Sequence, residues 1–173
     1  IAEALLQAGC KVTICSRNEQ QIEETAAELR QQYPDVIACR ANVGIESDVL
    51  RLFNSAMSRF GSVNILVNNA GNFDGGPLEQ LSFSDWNNVI DACLHGPFLC
   101  TREAFRVMKN RGGRILNIGS ISAQRARMFS VPYTSAKFGI QGLTQAAALE
   151  GREHGIIVSC LHPGNVLVER RQN

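Results

Sequence analysis

The chain has 173 residues, 45% of them hydrophobic and 19% charged, with a net charge of +1 at pH 7. This is a globular profile, long enough for one domain with a real core, and its near-neutral balance with scattered arginines gives no electrostatic case for nucleic acid or an anionic membrane. No apolar run approaches a membrane span. The six cysteines show no C-x-x-C spacing and sit mostly in apolar runs, so they read as free thiols in a reducing cytoplasm; the three distant histidines give a metal site little support.

"IAEALLQAG" reads as the tail of an amphipathic helix. It has no charged n-region or cleavage site, so it is not a signal peptide, and the expectation is of a chain cut at its front. "KVTIC" (11–15) is a short β-branched strand. "NEQQIEETAAELRQQY" opens on a good N-cap, Asn18, with Ile22, Ala26 and Leu29 on one stripe. "DVIACRA" is the next strand, and "SDVLRLFNSAMSRFG" a helix with Val49, Leu52, Phe53 and Ala56 inward. "VNILVNN" (63–69) is apolar enough for a strand buried on both faces.

A glycine-containing loop follows, and then "SDWNNVIDACLHGPFLCTREAFRVMKN" reads as one long helix carrying Pro97, with Val89, Leu94, Phe98 and Phe105 mostly in the core. "GGRILNIGS" is a strand, "PYTSAKFGIQGLTQAAALEGREHG" a helix with Pro132 at its start, and "IIVSCLHPG" the last strand. The alternation implies an α/β domain spanning 1–173: a doubly wound parallel sheet with helices on both faces. Sites in such sheets form at the carboxyl ends of the strands, and there stand Arg17, Asn42, "NNAG" (68–71), Ser120 and "HPG" (162–164).

One of only two tyrosines, Tyr133, stands four residues before one of three lysines, Lys137. By chance about 0.03 such pairs are expected, and on a helix the two share a face. Unit charges about 4 Å apart at an effective dielectric near 20 interact by ~4 kcal/mol. That is enough to lower a phenol's pKa from ~10 by roughly two to three units. Such a phenol gives or takes a proton near neutral pH. Ser120, 13 residues earlier, is placed to hold a substrate oxygen against it. Carbonyl reduction also needs a hydride source, and no side chain supplies one, so a cofactor is implied.

Taken together, "NNAG", "ILNIGS" (115–120), "YTSAK" (133–137) and "HPG" resemble the short-chain dehydrogenase/reductase family over essentially the whole chain. The resemblance implies a Rossmann-type fold, an NAD(P)-dependent oxidoreductase acting on an alcohol or carbonyl, and Ser120, Tyr133 and Lys137 as the catalytic trio. It places Lys137 on the nicotinamide ribose and Asn69, Ala70 and Gly71 along the cofactor, with "NNAG" steadying the sheet. Val43, Tyr133, Pro163 and Gly164 line the cofactor as well, and Asn42 its adenine end.

The family's glycine-rich phosphate loop and first strand are not found. The expectation is therefore of a fragment with an incomplete sheet, gapped between the strands at 11–15 and 63–69. The chain as given should then not hold NADP. The family's closing segment, which shapes the substrate pocket, is also missing.

Other positions depart from the pattern. Asn42 replaces an Asp, Val168 a Thr that binds the nicotinamide carboxamide, and Cys93 the family's fourth catalytic residue, an Asn acting through its backbone carbonyl. Pro97 has no N–H to give that carbonyl in a helix, which would leave it open to a water near Lys137. The competing reading makes Cys93 a packed apolar residue.

Ser16 and Arg17 offer no carboxylate for a ribose hydroxyl, and Arg17 suits a 2′-phosphate, which favours NADP with NAD as the alternative. A solvated loop arginine is the plainer reading of Arg17. Arg125 and Arg127 are surface arginines or flank the substrate mouth; His95, His154 and His162 are assigned no function. By resemblance, a homodimer or homotetramer of the full-length parent is implied. A Rossmann-fold protein that binds without catalysis is the alternative to the enzyme.

Overall fold

The computed structural model describes residues 1–164, so Val168 and its expected cofactor contact lie outside the described residues. The chain forms two compact units, Ile1–Val63 and a second beginning at Asn64.

The first unit runs α1 (Ala2–Gln7), β1 (Val12–Ser16), α2 (Glu19–Arg30), β2 (Val36–Arg40) and α3 (Glu46–Phe60). The β1 and β2 strands pair in parallel from Val12↔Val36 to Ser16↔Arg40. Asn18 caps α2 as expected, its Oδ1 accepting the Gln21 N–H at 3.1 Å. Leu6, Val12 and Val36 form the core, with Ile14, Leu29 and Tyr33 packed against them. On α3, Val49, Phe53 and Ala56 are buried.

Cys15 and Cys39 are register partners on these strands. Burial, reinforced by Cys39, pushes the Cys15 thiol up to about 11 from 9.0. The unfolded chain thus ionises before the folded one. The stability this thiol contributes is present below pH 9 and is lost as pH rises towards 11. The loss amounts to at most about 3 kcal/mol. Urea unfolding midpoints should fall across that window, and Cys15→Ala should flatten the fall.

The second unit contains β3 (Ile65–Asn68), α4 (Phe83–Ile90), α5 (Gly96–Met108), β4 (Gly113–Ile118), α6 (Val131–Gly151) and β5 (Ile156–Leu161). Its strands are parallel in the order β3-β4-β5. Along β5, Ile156 and Val158 are buried while Ile157 and Ser159 are exposed, so one face carries the packing. β3 is not buried on both faces as its composition suggests. It lies at the sheet edge, and Ile65 is exposed.

The long helix is not uniform. Between α4 and α5 the chain winds one π turn, Asp91–His95, with the Gly96 N–H reaching back five residues to Asp91 O. Pro97 explains the wider turn: it can donate neither to Cys93 in the α register nor to Ala92 in the π register. The buried face of α5 then runs through Pro97, Cys100, Thr101, Ala104 and Met108. Phe98 falls one position off it and is exposed, against the core position its spacing suggests.

A buried polar ladder joins these elements. Asn68 donates to Asn117 Oδ1 at 2.8 Å and to Thr101 Oγ1 at 3.3 Å; Asn117 donates to Thr144 Oγ1 at 2.8 Å, and Thr144 to Ile140 O at 2.7 Å. Asn68 and Asn117 are register partners on β3 and β4, so the amides bridge the strands edge to edge. Cutting such a ladder orphans buried groups and leaves a void. Asn117→Ala should cost about 3 kcal/mol in urea unfolding, whereas Ser159→Ala on the exposed face should stay within roughly 0.5 kcal/mol of wild type.

Candidate active site

Lys137 is the organising residue of the second unit. It is 6% exposed, and its ammonium donates to Ile118 O at the end of β4, 2.6 Å away. Nζ also lies over the Tyr133 ring, 5.4 Å from its centroid. The cation therefore sits against the ring and is tied to a strand, rather than held only by the helix spacing. Burial pushes Lys137 below its usual range, with Cys93 and Cys160 nearby acting in the opposite sense. Tyr133 packs against the cluster of Val89, Ile90, Cys93 and Ala136.

Ser120 stands two residues beyond Ile118 and opens the 3₁₀ turn Ile121–Ala123. Its Oγ accepts the Ser122 N–H at 3.1 Å, a bond that does not use the hydroxyl hydrogen. Reading the histidines as idle missed His162. Its Nδ1 lies 2.9 Å from Ser120 O and 3.3 Å from Ser120 N, so the ring grips the serine's backbone in either tautomer. A Cβ on Gly119 would stand 2.6 Å from that nitrogen, which is why glycine precedes the serine. The available signal was the histidine's place directly after the last strand, in "HPG".

Cys93 is buried, and its thiol has work that its spacing did not reveal. It accepts the Asn72 N–H at 3.4 Å and donates to Asn72 O at 3.3 Å. It thereby fastens the loop after β3 to the π turn. In that loop Asn69, Ala70 and Gly71 are exposed directly beyond β3. Pro163 and Gly164 follow β5. Arg125 and Arg127 are exposed on the loop ahead of α6, and His95 pairs with Asp91 at 2.8 Å.

In the first unit, Ser16 ends β1 and its Oγ accepts the Asn18 N–H at 3.2 Å; Arg17 is exposed beside it. Asn42 follows β2, with Val43 next to it. Its Oδ1 accepts the Gly44 N–H at 3.1 Å, and its own N–H donates to Asp48 Oδ2 at 2.8 Å. That N–H, with Arg51 assisting, holds the Asp48 carboxyl below its usual range. The Asn42 side chain is thus partly committed to its own turn.

Lys137 thus lies against the ring of Tyr133, at the head of α6, and is tied to Ile118 O, two residues before Ser120. The chain belongs to the short chain dehydrogenase family, which it matches over residues 1–173. It is 36% identical to dehydrogenase/reductase SDR family member 11 of Homo sapiens, covering 96% of this chain and 67% of that protein. It is 32% identical to a 3-oxoacyl acyl-carrier-protein reductase of Synechocystis, covering 99% of this chain and 70% of that one.

Among solved structures, it superposes on an actinorhodin polyketide ketoreductase with NADPH at a TM-score of 0.92, 32% identity and coverage of 96% and 65%. A gluconate 5-dehydrogenase of Burkholderia cenocepacia, in complex with NADP and tartrate, gives 0.90 at 29% identity, with coverage of 97% and 66%. The chain spans 62% of the length of one curated relative, from Streptomyces violaceoruber.

Proposed function

We propose that this protein interconverts an alcohol and its carbonyl compound with NADP as cofactor. The observation that carries this reading is the buried Lys137 ammonium, tied to Ile118 O and lying over the Tyr133 ring. A cation at that depth needs compensating partners, and the Ile118 carbonyl and the face of the Tyr133 ring supply them. Tyr133 gives its proton to the substrate oxygen during reduction and takes it back during oxidation. Ser120 donates a hydrogen bond to the same oxygen, and Lys137 places its positive charge beside the Tyr133 ring. The Cys93 carbonyl, beside the π turn and Pro97, is assigned to a water that feeds Lys137.

The residues present suit parts of the cofactor other than its pyrophosphate, for which no glycine-rich loop is found. Arg17 is an exposed fork for a 2′-phosphate, with Ser16 beside it, and the exposed backbone of Asn69, Ala70 and Gly71 offers polar groups directly beyond β3. Asn42, Val43, Pro163 and Gly164 are assigned to the cofactor with them, and Tyr133 and Lys137 to its ribose. The cofactor, when bound, supplies or receives the hydride. NAD is the alternative, and Arg17→Glu should shift preference from NADPH towards NADH at least tenfold, or about 1.4 kcal/mol.

We assign the protein to the cytoplasm, in keeping with its free cysteines. Among the described residues no helix is long and apolar enough to cross a membrane. A homodimer or homotetramer is supported by Phe98 on α5 and by Phe138 and Leu149 on α6, all exposed. Binding without catalysis is the second reading, favoured by the Cys93 thiol's commitment to Asn72. With the full-length protein, cofactor oxidation against a panel of ketones and aldehydes separates the two. NADPH consumption with matching alcohol formation supports the enzyme; NADPH binding with no consumption on any carbonyl supports the binder.

A further inference from the structure

Two loops meet beside Tyr133. One follows β3 and contains Phe73; the other follows the 3₁₀ turn at Ile121–Ala123 and ends where Ser130 precedes α6. A Cβ on Gly75 would stand 1.9 Å from the Phe129 carbonyl oxygen, so the two backbones are in contact and glycine alone permits it. Each loop is also anchored at its root. Asn72 is held by the Cys93 thiol, its Oδ1 accepts the Phe73 N–H at 2.9 Å, and its Nδ2 donates to Asp74 Oδ2 at 2.6 Å. The Ser130 hydroxyl, fully buried, donates to Arg127 O at 2.7 Å.

The outcome of this fastening is apolar surface that is not hidden. The Phe73 ring meets Tyr133 edge-on, with centroids 5.0 Å apart and planes at 71°. Yet Phe73 remains 45% exposed, Phe129 55% and Met128 82%. Phe129 is the only non-glycine residue with positive φ among those described, at 59°, an unfavourable conformation for an aromatic residue. Two anchored loops that contact one another, one of them strained, thus present three large apolar side chains to solvent, and one of these, Phe73, touches the proposed proton donor. Exposed apolar side chains gathered on two touching loops suit a binding face.

We infer that Phe73, with Met128 and Phe129, forms the specificity-determining wall of the site, and that the substrate bears an apolar aryl or alkyl group on its reacting carbonyl carbon. Phe73 packs against that group while its ring edge rests on Tyr133. The inference rests on the oxidoreductase reading above and narrows its substrate class.

The test compares, in the full-length protein, kcat/KM for NADPH-dependent reduction of acetophenone and of hydroxyacetone. The wild type should prefer acetophenone. Phe73→Ala should lower the acetophenone-to-hydroxyacetone ratio about 10–100-fold, mainly through KM for acetophenone, and Phe73→Leu should restore part of it. Equal losses on both ketones, or an unchanged ratio, overturn the wall while leaving the oxidoreductase reading standing. No reduction of either ketone by the full-length wild type overturns the inference, while the carbonyl panel above decides the oxidoreductase reading separately.

Discussion

In the full-length protein, Tyr133→Phe should lower kcat by roughly a thousandfold, within the 10²–10⁴ that a positioned general acid supplies. The loss should be selective. The phenylalanine ring keeps the edge contact to Phe73 and the packing on Val89, Ile90, Cys93 and Ala136, so neither the fold nor the two loops should shift. Only the hydroxyl is removed. Titration calorimetry should find NADP affinity within a few-fold of wild type, because a lone neutral hydrogen bond contributes about 1 kcal/mol. A variant retaining more than about a tenth of the activity removes Tyr133 from the role assigned to it.

Lys137→Met should cost a similar factor in kcat but leave a different signature, since it takes away the proposed ribose contact along with the charge. Cofactor affinity should fall together with the rate. The pH profile has a definite sign. Burial lowers the pKa of Lys137, and the cation is the useful form, so wild-type activity should decline on the alkaline side before 10.5, the lysine's ordinary value.

The same shift acts oppositely on stability. Holding the cation buried is unfavourable below the lowered pKa, and that penalty fades as pH rises towards 10.5. Methionine removes this slope but deprives Ile118 O of its donor. The two effects offset, so thermal unfolding near neutral pH should stay within about 2 kcal/mol of wild type while activity is lost.

The order of elements was legible because periodicity reports burial, and burial follows from parallel strands flanked by helices. Asn18 and Pro132 marked helix starts for local reasons that need no tertiary information. Features depending on partners distant in sequence were not legible. Nothing in "LHP" says that the histidine ring will reach back 42 residues to the backbone of Ser120. The Cys93 thiol likewise meets Asn72 across 21 residues. Asn117 read as part of an apolar strand, yet it holds a buried amide ladder that exists only once β3, β4, α5 and α6 are assembled.

Pro97 was an intermediate case. The sequence foretold a disturbed helix, but only the structure shows the disturbance as a π turn, which also rotates Phe98 out of the core.

The most direct test of hydride exchange completed by Tyr133 is label transfer from NADPH carrying deuterium at both positions of the reactive ring carbon. With a carbonyl substrate that the protein consumes, mass spectrometry of the alcohol should show one deuterium on the former carbonyl carbon for the wild type. The Tyr133→Phe protein should yield next to none over the same time. An unlabelled alcohol, or labelled alcohol formed as fast by Tyr133→Phe as by the wild type, contradicts it.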